Sequence, residues 1–242
     1  MIELIDVCKR FGDRQVLDHM SLKVDAGETY VLMGPSGSGK SVTIQHIIGI
    51  HRPDSGSVLV DGNSVPELDR AGLMAMRKRM GYLFQNGALI NWLTVLENVC
   101  LPLREHSDLR RREIEERAME RLELVGMAHA AKDYPAQISG GMKLRTGLAR
   151  ALVTDPQVVL YDEPNAGLDP IISDQIHKLI VEVRDRLGVT GVVVTHSRAC
   201  AVTVADRIGV LEKGRIAAEG TVAEMVAAES ALVRGFLGGG AD

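Results

Sequence analysis

Apolar and polar residues divide this chain into segments of two different periods. Near the N-terminus, Ile2-Glu3-Leu4-Ile5-Asp6-Val7 and Ser21-Leu22-Lys23-Val24 are short apolar-rich runs, and Ala26-Gly27-Glu28 closes the second. They predict antiparallel strands. Continuous apolar runs follow at Tyr30-Val31-Leu32-Met33, Val158-Val159-Leu160-Tyr161 and Gly191-Val192-Val193-Val194-Thr195. A strand buried on both faces has no polar face to alternate with, so these runs predict parallel strands covered by helices. Val58-Leu59-Val60 is a further strand, set between turns at Asp54-Ser55-Gly56-Ser57 and Asp61-Gly62. Ile208-Gly209-Val210-Leu211, the Lys213-Gly214 turn and Arg215-Ile216-Ala217 predict a closing hairpin.

Helical spacing appears between these runs. Val42 to Ile48 repeats apolar residues at that spacing, and a helix over 171–187 links two of the buried strands into a β-α-β unit. From Asp108 to Val125, Ile114, Ala118, Leu122 and Val125 share one face, while Arg110, Arg111, Arg112, Glu116 and Arg117 are charged. Ser107 or Asp108 is the expected cap of this helix and Gly126 its stop. Thr221 with Glu224 fits a capping box that opens a last helix, and Gly238 to Asp242 reads as a frayed tail. The pattern predicts an α/β fold with a mostly parallel sheet and an N-terminal antiparallel β part. Residues 1–86 and 151–242 form its core, and 87–150 form an inserted helical lobe. The whole chain, 1–242, is read as a single domain.

Composition narrows the function. Of 242 residues, 45% are hydrophobic and 25% charged, as in an ordinary globular protein. The net charge of −4 argues against a broad nucleic-acid surface, so no nucleic-acid partner is expected. The three cysteines, Cys8, Cys100 and Cys200, are scattered and odd in number, which predicts reduced thiols in a cytosolic protein. No apolar run approaches the ~20 residues of a membrane-spanning helix, and no signal-peptide pattern opens the chain. Any membrane role therefore calls for another chain to cross the bilayer.

The chemistry is concentrated in a few short stretches. Gly34-Pro35-Ser36-Gly37-Ser38-Gly39-Lys40-Ser41 fits G-x-x-x-x-G-K-[ST] between a predicted strand and a predicted helix. Glycines there let successive backbone N–H groups converge on phosphate oxygens, and the helix N-terminus adds partial positive charge. Lys40 is expected against the β- and γ-phosphates and Ser41 on Mg²⁺. Asp162 and Glu163 end a buried strand. An aspartate in that position holds Mg²⁺ through its water shell, and a neighbouring glutamate orients and deprotonates water. Of seven histidines, His196 alone ends a predicted core strand, where open α/β sheets place ligands. It is expected to contact the γ-phosphate.

Other segments complete a resemblance. Ile138-Ser139-Gly140-Gly141-Met142 resembles the signature motif of ABC-type ATPases, Phe84-Gln85 their Q-loop, and Asn165-Ala166-Gly167-Leu168-Asp169 their D-loop. Phe11 stands where that family stacks an aromatic ring on adenine. The motifs occur in the family's order and cover nearly the entire chain. The resemblance implies a P-loop NTPase that binds ATP and Mg²⁺. Two copies would sandwich ATP, each nucleotide held by one phosphate loop and by the Ser139-Gly140-Gly141 backbone of the other copy. Gln85 would join Ser41 and Asp162 around Mg²⁺, and Asp169 would mark the D-loop. Three positions depart from the common pattern: Met142 replaces glutamine, Ile138 replaces leucine, and Val42 replaces a threonine that would contact the α-phosphate.

The stretch Phe84 to Val99, with Met142 and Gly167-Leu168-Asp169-Pro170, is similar to ATPases of bacterial Mla/Mce-type lipid transporters. Ile90 and Trp92 depart from the usual phenylalanine and serine. That similarity implies a peripheral protein on the cytoplasmic face of the bacterial inner membrane. Its partners would be transmembrane permease subunits, a lipid-binding Mce-type protein and a small cytoplasmic regulatory subunit. Ala88 to Leu93 would pack the helical lobe or, with Trp92 at the rim, receive a short permease helix. The alternatives are import of a small solute or amino acid, and iron–sulfur assembly.

Overall fold

The N-terminal alternation forms a hairpin, β1 (Ile2–Phe11) with β2 (Arg14–Val24), in the computed structural model, which describes residues 1–238. Ile2, Leu4 and Val7 are buried against Leu17, Met20, Leu22 and Val24. The register of the hairpin shifts after Leu4, and there Asp6 and His19 adopt left-handed backbone, at φ 54° and 51°. β3 (Thr29–Met33) is buried throughout and leads into α1 (Lys40–Ile47). β4 (Ser55–Val60) and β5 (Asn63–Ser64) complete a four-stranded antiparallel sheet, ordered β2-β1-β4-β5. The turn expected at 54–57 is therefore mostly strand, with Ser57 and Ser55 paired to Ile5 and Cys8. Gly56 makes this possible, because a Cβ there would lie 2.3 Å from the Asp6 carbonyl oxygen.

Next come α2 (Arg70–Lys78) and β6 (Met80–Leu83), then three helices without an intervening strand: α3 (Val95–His106), α4 (Arg111–Leu124) and α5 (Gly140–Leu152). The apolar stripe of α4 is as expected, with Ile114, Ala118 and Leu122 buried and Val125 buried just beyond it. Its cap is not. The Ser107 hydroxyl instead donates to the Leu103 carbonyl at 2.7 Å, closing α3, and Asp108 lies outside the helix. Arg110 is the cap residue of α4, and its N–H donates to the Glu113 carboxylate at 2.8 Å. A glutamate reaching back from the first turn satisfies the exposed amide and releases the cap position from needing a small polar side chain. Gly126, at φ 72°, follows the helix as expected.

The remaining elements are β7 (Val158–Asp162), α6 (Pro170–Leu187), β8 (Thr190–Thr195), α7 (Arg198–Val204), β9 (Arg207–Glu212), β10 (Arg215–Thr221), α8 (Val222–Ala227) and α9 (Ala231–Leu237). Thr221 and Glu224 do form the capping box of α8. That helix is not the last, because α9 follows and buries Val233 and Leu237. Of the expected frayed tail, Gly238 closes α9 by donating to the Arg234 carbonyl at 2.8 Å, and 239–242 lie outside the described residues.

Strands β10-β9-β3-β8-β7-β6, in that order, form a second sheet, parallel except for the β9–β10 hairpin. Alternate residues of its central strands enter two separate apolar clusters. Val31, Met33, Val159, Tyr161 and Val193 pack with α3 to α7, while Tyr30, Leu32, Val158, Leu160, Val192 and Val194 pack with α1 and the antiparallel sheet. This two-sided burial explains the unbroken apolar runs in the sequence. The parallel register aligns Met33 with Thr195 and Asp162 with Val194, so the carboxyl ends of β3, β7 and β8 meet at one edge.

Leu122 is fully buried among the helices, whereas the Arg112–Glu116 pair stands in solvent. Leu122→Ala should therefore cost about 2–5 kcal/mol in urea unfolding. Arg112→Ala should stay within about 0.5 kcal/mol of the parent.

Candidate phosphate-binding site

Where β3 ends, the chain turns through Gly34 to Gly39 into α1. Gly34, Gly37 and Gly39 take φ 157°, 77° and 110°. A Cβ on Gly34 would lie 2.4 Å from the Leu211 carbonyl oxygen, and one on Gly39 2.9 Å from Leu17 Cδ2. Close approach therefore requires glycine at both positions. Gly39 is also the cap of α1 and offers no side-chain acceptor. The first-turn N–H groups thus remain available to an external anion. The buried Lys40 ammonium curls back on the loop and donates to the carbonyls of Gly34 at 2.9 Å and Pro35 at 3.2 Å. Glu163 Oε1 lies 3.7 Å from it. The Ser38 hydroxyl is buried with no partner in the protein. A phosphate oxygen over the loop would satisfy it, so the residues present fit a polyphosphate ligand.

The strand ends supply the other wall. Asp162 accepts hydrogen bonds on both carboxylate oxygens, from Ser41 Oγ at 3.0 Å and from the Tyr82 hydroxyl at 3.1 Å. Burial and the Asp162 charge push the Tyr82 hydroxyl well above the ordinary phenol range, which keeps it a donor. Glu163 stands in left-handed backbone at φ 48°, and its N–H donates to the Val194 carbonyl at 2.9 Å. Its Oε2 accepts from His196 Nδ1 at 3.0 Å, leaving the far side of the ring free. Non-glycine residues held in this backbone region are strained and concentrate at functional sites. Beneath Glu163, burial pushes the Cys200 thiol up to about 12, so it stays protonated.

Gly37, Gly39, Lys40, Ser41, Glu163 and His196 line one cleft of ≈ 420 Å³ with Arg14, Val16, Ser36, Val42, Gln85 and Ala166, and Asp162 meets it through the Ser41 hydroxyl. Gln85 enters it from a loop in which Asn86, Gly87 and Ala88 have φ 59°, 75° and 44°. The loop is tied to α5: Arg150 donates to the carbonyls of Gly87 at 2.8 Å and Ala88 at 2.9 Å. Gly147 permits the contact, since a Cβ there would lie 2.9 Å from Gly87 Cα. The sequence reading did not single out Arg14, Tyr82, Gly147 or Arg150. A glycine inside a helical pattern was the available signal for Gly147.

The other expected site residues lie elsewhere. None of Ser139 to Met142 lines the cleft of its own chain. Ser139 caps α5 and accepts from the Met142 N–H at 3.3 Å. Ser139 and Gly140 are exposed, Met142 is half-buried, and Gly141 is buried, with no room for a Cβ against Ile172. Asp169 caps α6, accepting from the amides of Ile171 and Ile172, both at 3.0 Å. Phe11 is outside the cleft lining, with its ring edge-on to His51 at 5.0 Å between centroids. Trp92 is 79% exposed. Buried Asn98 pins the backbone beside it, bonding to Ile90, Leu93 and Thr94.

Comparison with known proteins places this geometry in context. The family pattern described as ABC transporter matches residues 17–166. The chain is 40% identical over 238 residues to the probable ribonucleotide transport ATP-binding protein of Mycobacterium leprae, covering 98% of this chain and 69% of that protein. It is also 40% identical over 242 residues to the intermembrane phospholipid transport system ATP-binding protein MlaF of Escherichia coli K12, covering 100% of this chain and 90% of that protein. Against the methionine import ATP-binding protein MetN of Caulobacter vibrioides, identity is 43% over 227 residues, covering 93% and 68%. An ATP-binding cassette solved as a dimer in a post-hydrolysis state with ADP and Pi superposes with a TM-score of 0.83, 34% identity and coverage of 92% and 99%.

Arg150 ties the Gln85 loop to α5 without lining the cleft. Arg150→Met should speed amide exchange over residues 85–90 and leave nucleotide affinity of the monomer within about 3-fold. Exchange mass spectrometry and a fluorescent-nucleotide titration check both parts.

Proposed function

This chain belongs to the ABC transporter family, and from that premise we propose that it hydrolyses ATP to drive a permease that moves phospholipid between bacterial membranes. The observation that carries the hydrolytic part is the convergence of Lys40, Glu163 and His196 on one cleft with the phosphate loop. Loop amides and Lys40 hold the β- and γ-phosphates of ATP. An incoming γ-phosphate competes with the carbonyls of Gly34 and Pro35 for the ammonium and occupies the place now facing Glu163. Glu163 orients and deprotonates the attacking water. His196, held through Nδ1 by Glu163, presents its other nitrogen to the γ-phosphate. Ser41, Asp162 and Gln85 are the residues that would hold Mg²⁺, which neutralises charge on the phosphates.

A single chain leaves the signature outside its own cleft. The exposed N-terminus of α5, opened by Ser139, suits the γ-phosphate of a second copy, as the dimeric arrangement of the solved cassette supports. Trp92 and the pinned turn around it then face a transmembrane permease subunit, which holds the chain on the cytoplasmic face of the inner membrane. Among the described residues no helix is long and apolar enough to cross a membrane itself. The phospholipid cargo is supported by the likeness to MlaF, which extends over the entire chain. A Mce-type lipid-binding protein and a small regulatory subunit complete the proposed assembly. Import of a small solute is the second reading, favoured by the 43% identity to the methionine importer subunit.

Glu163→Gln should retain ATP, lose at least ~100-fold in turnover and accumulate as an ATP-bound dimer. Near-normal hydrolysis by that variant would remove Glu163 from the role of base. Ser139→Arg should bind nucleotide as a monomer but fail to dimerise, and an intact ATP-induced dimer on size exclusion would refute the role assigned to the signature across the interface. Purification of the native complex in mild detergent should yield a permease with bound phospholipid. A bound amino acid or other small solute in place of phospholipid would favour the second reading.

A further inference from the structure

Away from the cleft, the bulged part of the β1–β2 hairpin gathers a different set of side chains. Cys8, Asp18 and His19 each place one potential ligand atom within 4.8 Å of the other two. None of the three lines the phosphate-binding cleft. We propose that they form a site for a divalent transition ion of the Zn²⁺ type, held by a thiolate, a carboxylate and an imidazole.

The groups around these ligands support that reading. His19 Nδ1 lies 2.8 Å from Asp6 Oδ1, so the ring donates there and directs Nε2 outward. Nε2 lies 3.9 Å from Asp18 Oδ1. The other oxygen of Asp18 is taken by Arg215, whose Nε and terminal nitrogen reach Oδ2 at 2.9 and 2.7 Å. This leaves Oδ1 as the free donor facing the imidazole. Cys8 Sγ accepts the backbone N–H of His19 at 3.3 Å. Asp18 and His19 thus each have a supporting partner, Arg215 and Asp6. A histidine braced by a carboxylate and a carboxylate braced by an arginine are the outer-shell contacts that orient metal ligands.

Distances and charge agree. Tetrahedral zinc with bonds of about 2.0–2.3 Å sets neighbouring donor atoms roughly 3.3–3.8 Å apart. The Asp18–His19 pair stands at 3.9 Å and the other donor pairs lie within 4.8 Å, so shifts of no more than about 1.5 Å close the site. A thiolate and a carboxylate balance a divalent ion, and three protein ligands leave a fourth position for water. Sulfur and imidazole select Zn²⁺ over Mg²⁺, which prefers oxygen and keeps its waters. The same donors without a metal would be a histidine ring set between two carboxylates, and the test separates the two.

The full chain, free of affinity tag and nucleotide, is titrated with Zn²⁺ in competition with a chromophoric chelator and, separately, with Co²⁺. One equivalent of Zn²⁺ is expected, with a thiolate-to-cobalt charge-transfer band. Cys8→Ser should abolish the band, and Cys8→Ser and His19→Asn should each weaken Zn²⁺ at least ~10-fold. Asparagine is suited to the left-handed backbone at this position, so His19→Asn keeps the fold. Asp6→Asn should weaken binding about 10–100-fold through the imidazole. Circular dichroism confirms that the variants are folded. Substoichiometric binding, an absent thiolate band, or unchanged affinity in folded Cys8→Ser would each overturn the site.

Discussion

Parallel pairing of β3, β8 and β7 is the constraint on which the cleft depends. Backbone hydrogen bonds set Met33 beside Thr195 and Asp162 beside Val194, and those pairs bring the phosphate loop, Glu163 and His196 to one edge. A slip of one residue in either pairing would send every core side chain of that strand to the opposite face. The two apolar clusters forbid it, because they claim alternate residues of each strand. Site geometry is thus held by burial far from the site. Glu163 can occupy strained backbone because its N–H is anchored to Val194 in this sheet.

A second coupling runs through α5. Its N-terminus carries Ser139 and Gly140 on the surface, and its other end carries Arg150, bonded to the loop that delivers Gln85 to the cleft. One helix therefore links the exposed Ser139 turn to the loop that carries Gln85. Gly147 and Gly87 bring that helix and that loop to backbone contact, leaving little slack between them. Movement of α5 relative to the sheet would be felt at Gln85.

Much of this was legible in the residues. Runs such as Val158 to Tyr161 and Gly191 to Thr195 have no polar alternation, and their strand identity and double-sided burial followed directly. The phosphate loop, Asp162, Glu163 and His196 were legible as candidates because strand-end chemistry depends on local order along the chain, whereas Gln85 was reached only through the resemblance to a family loop. The failures were local competitions. Ser107 looked like a cap for α4 but bonds back to Leu103, since one hydroxyl serves either the helix behind or the helix ahead. Ser55 and Ser57 looked like a turn until pairing with β1 drew them into a strand. Arg150 and Tyr82 act through partners 63 and 80 residues away, a distance that no local pattern carries.

The turn beneath Trp92 has a kinetic consequence. Asn98 holds the backbone of Ile90, Leu93 and Thr94 from within, so the exposed indole stands on a segment that is already ordered. A partner docking there would lose little chain entropy on arrival. Association at such a surface is set by how often the two molecules meet in the right orientation, with no wait for a loop to fold.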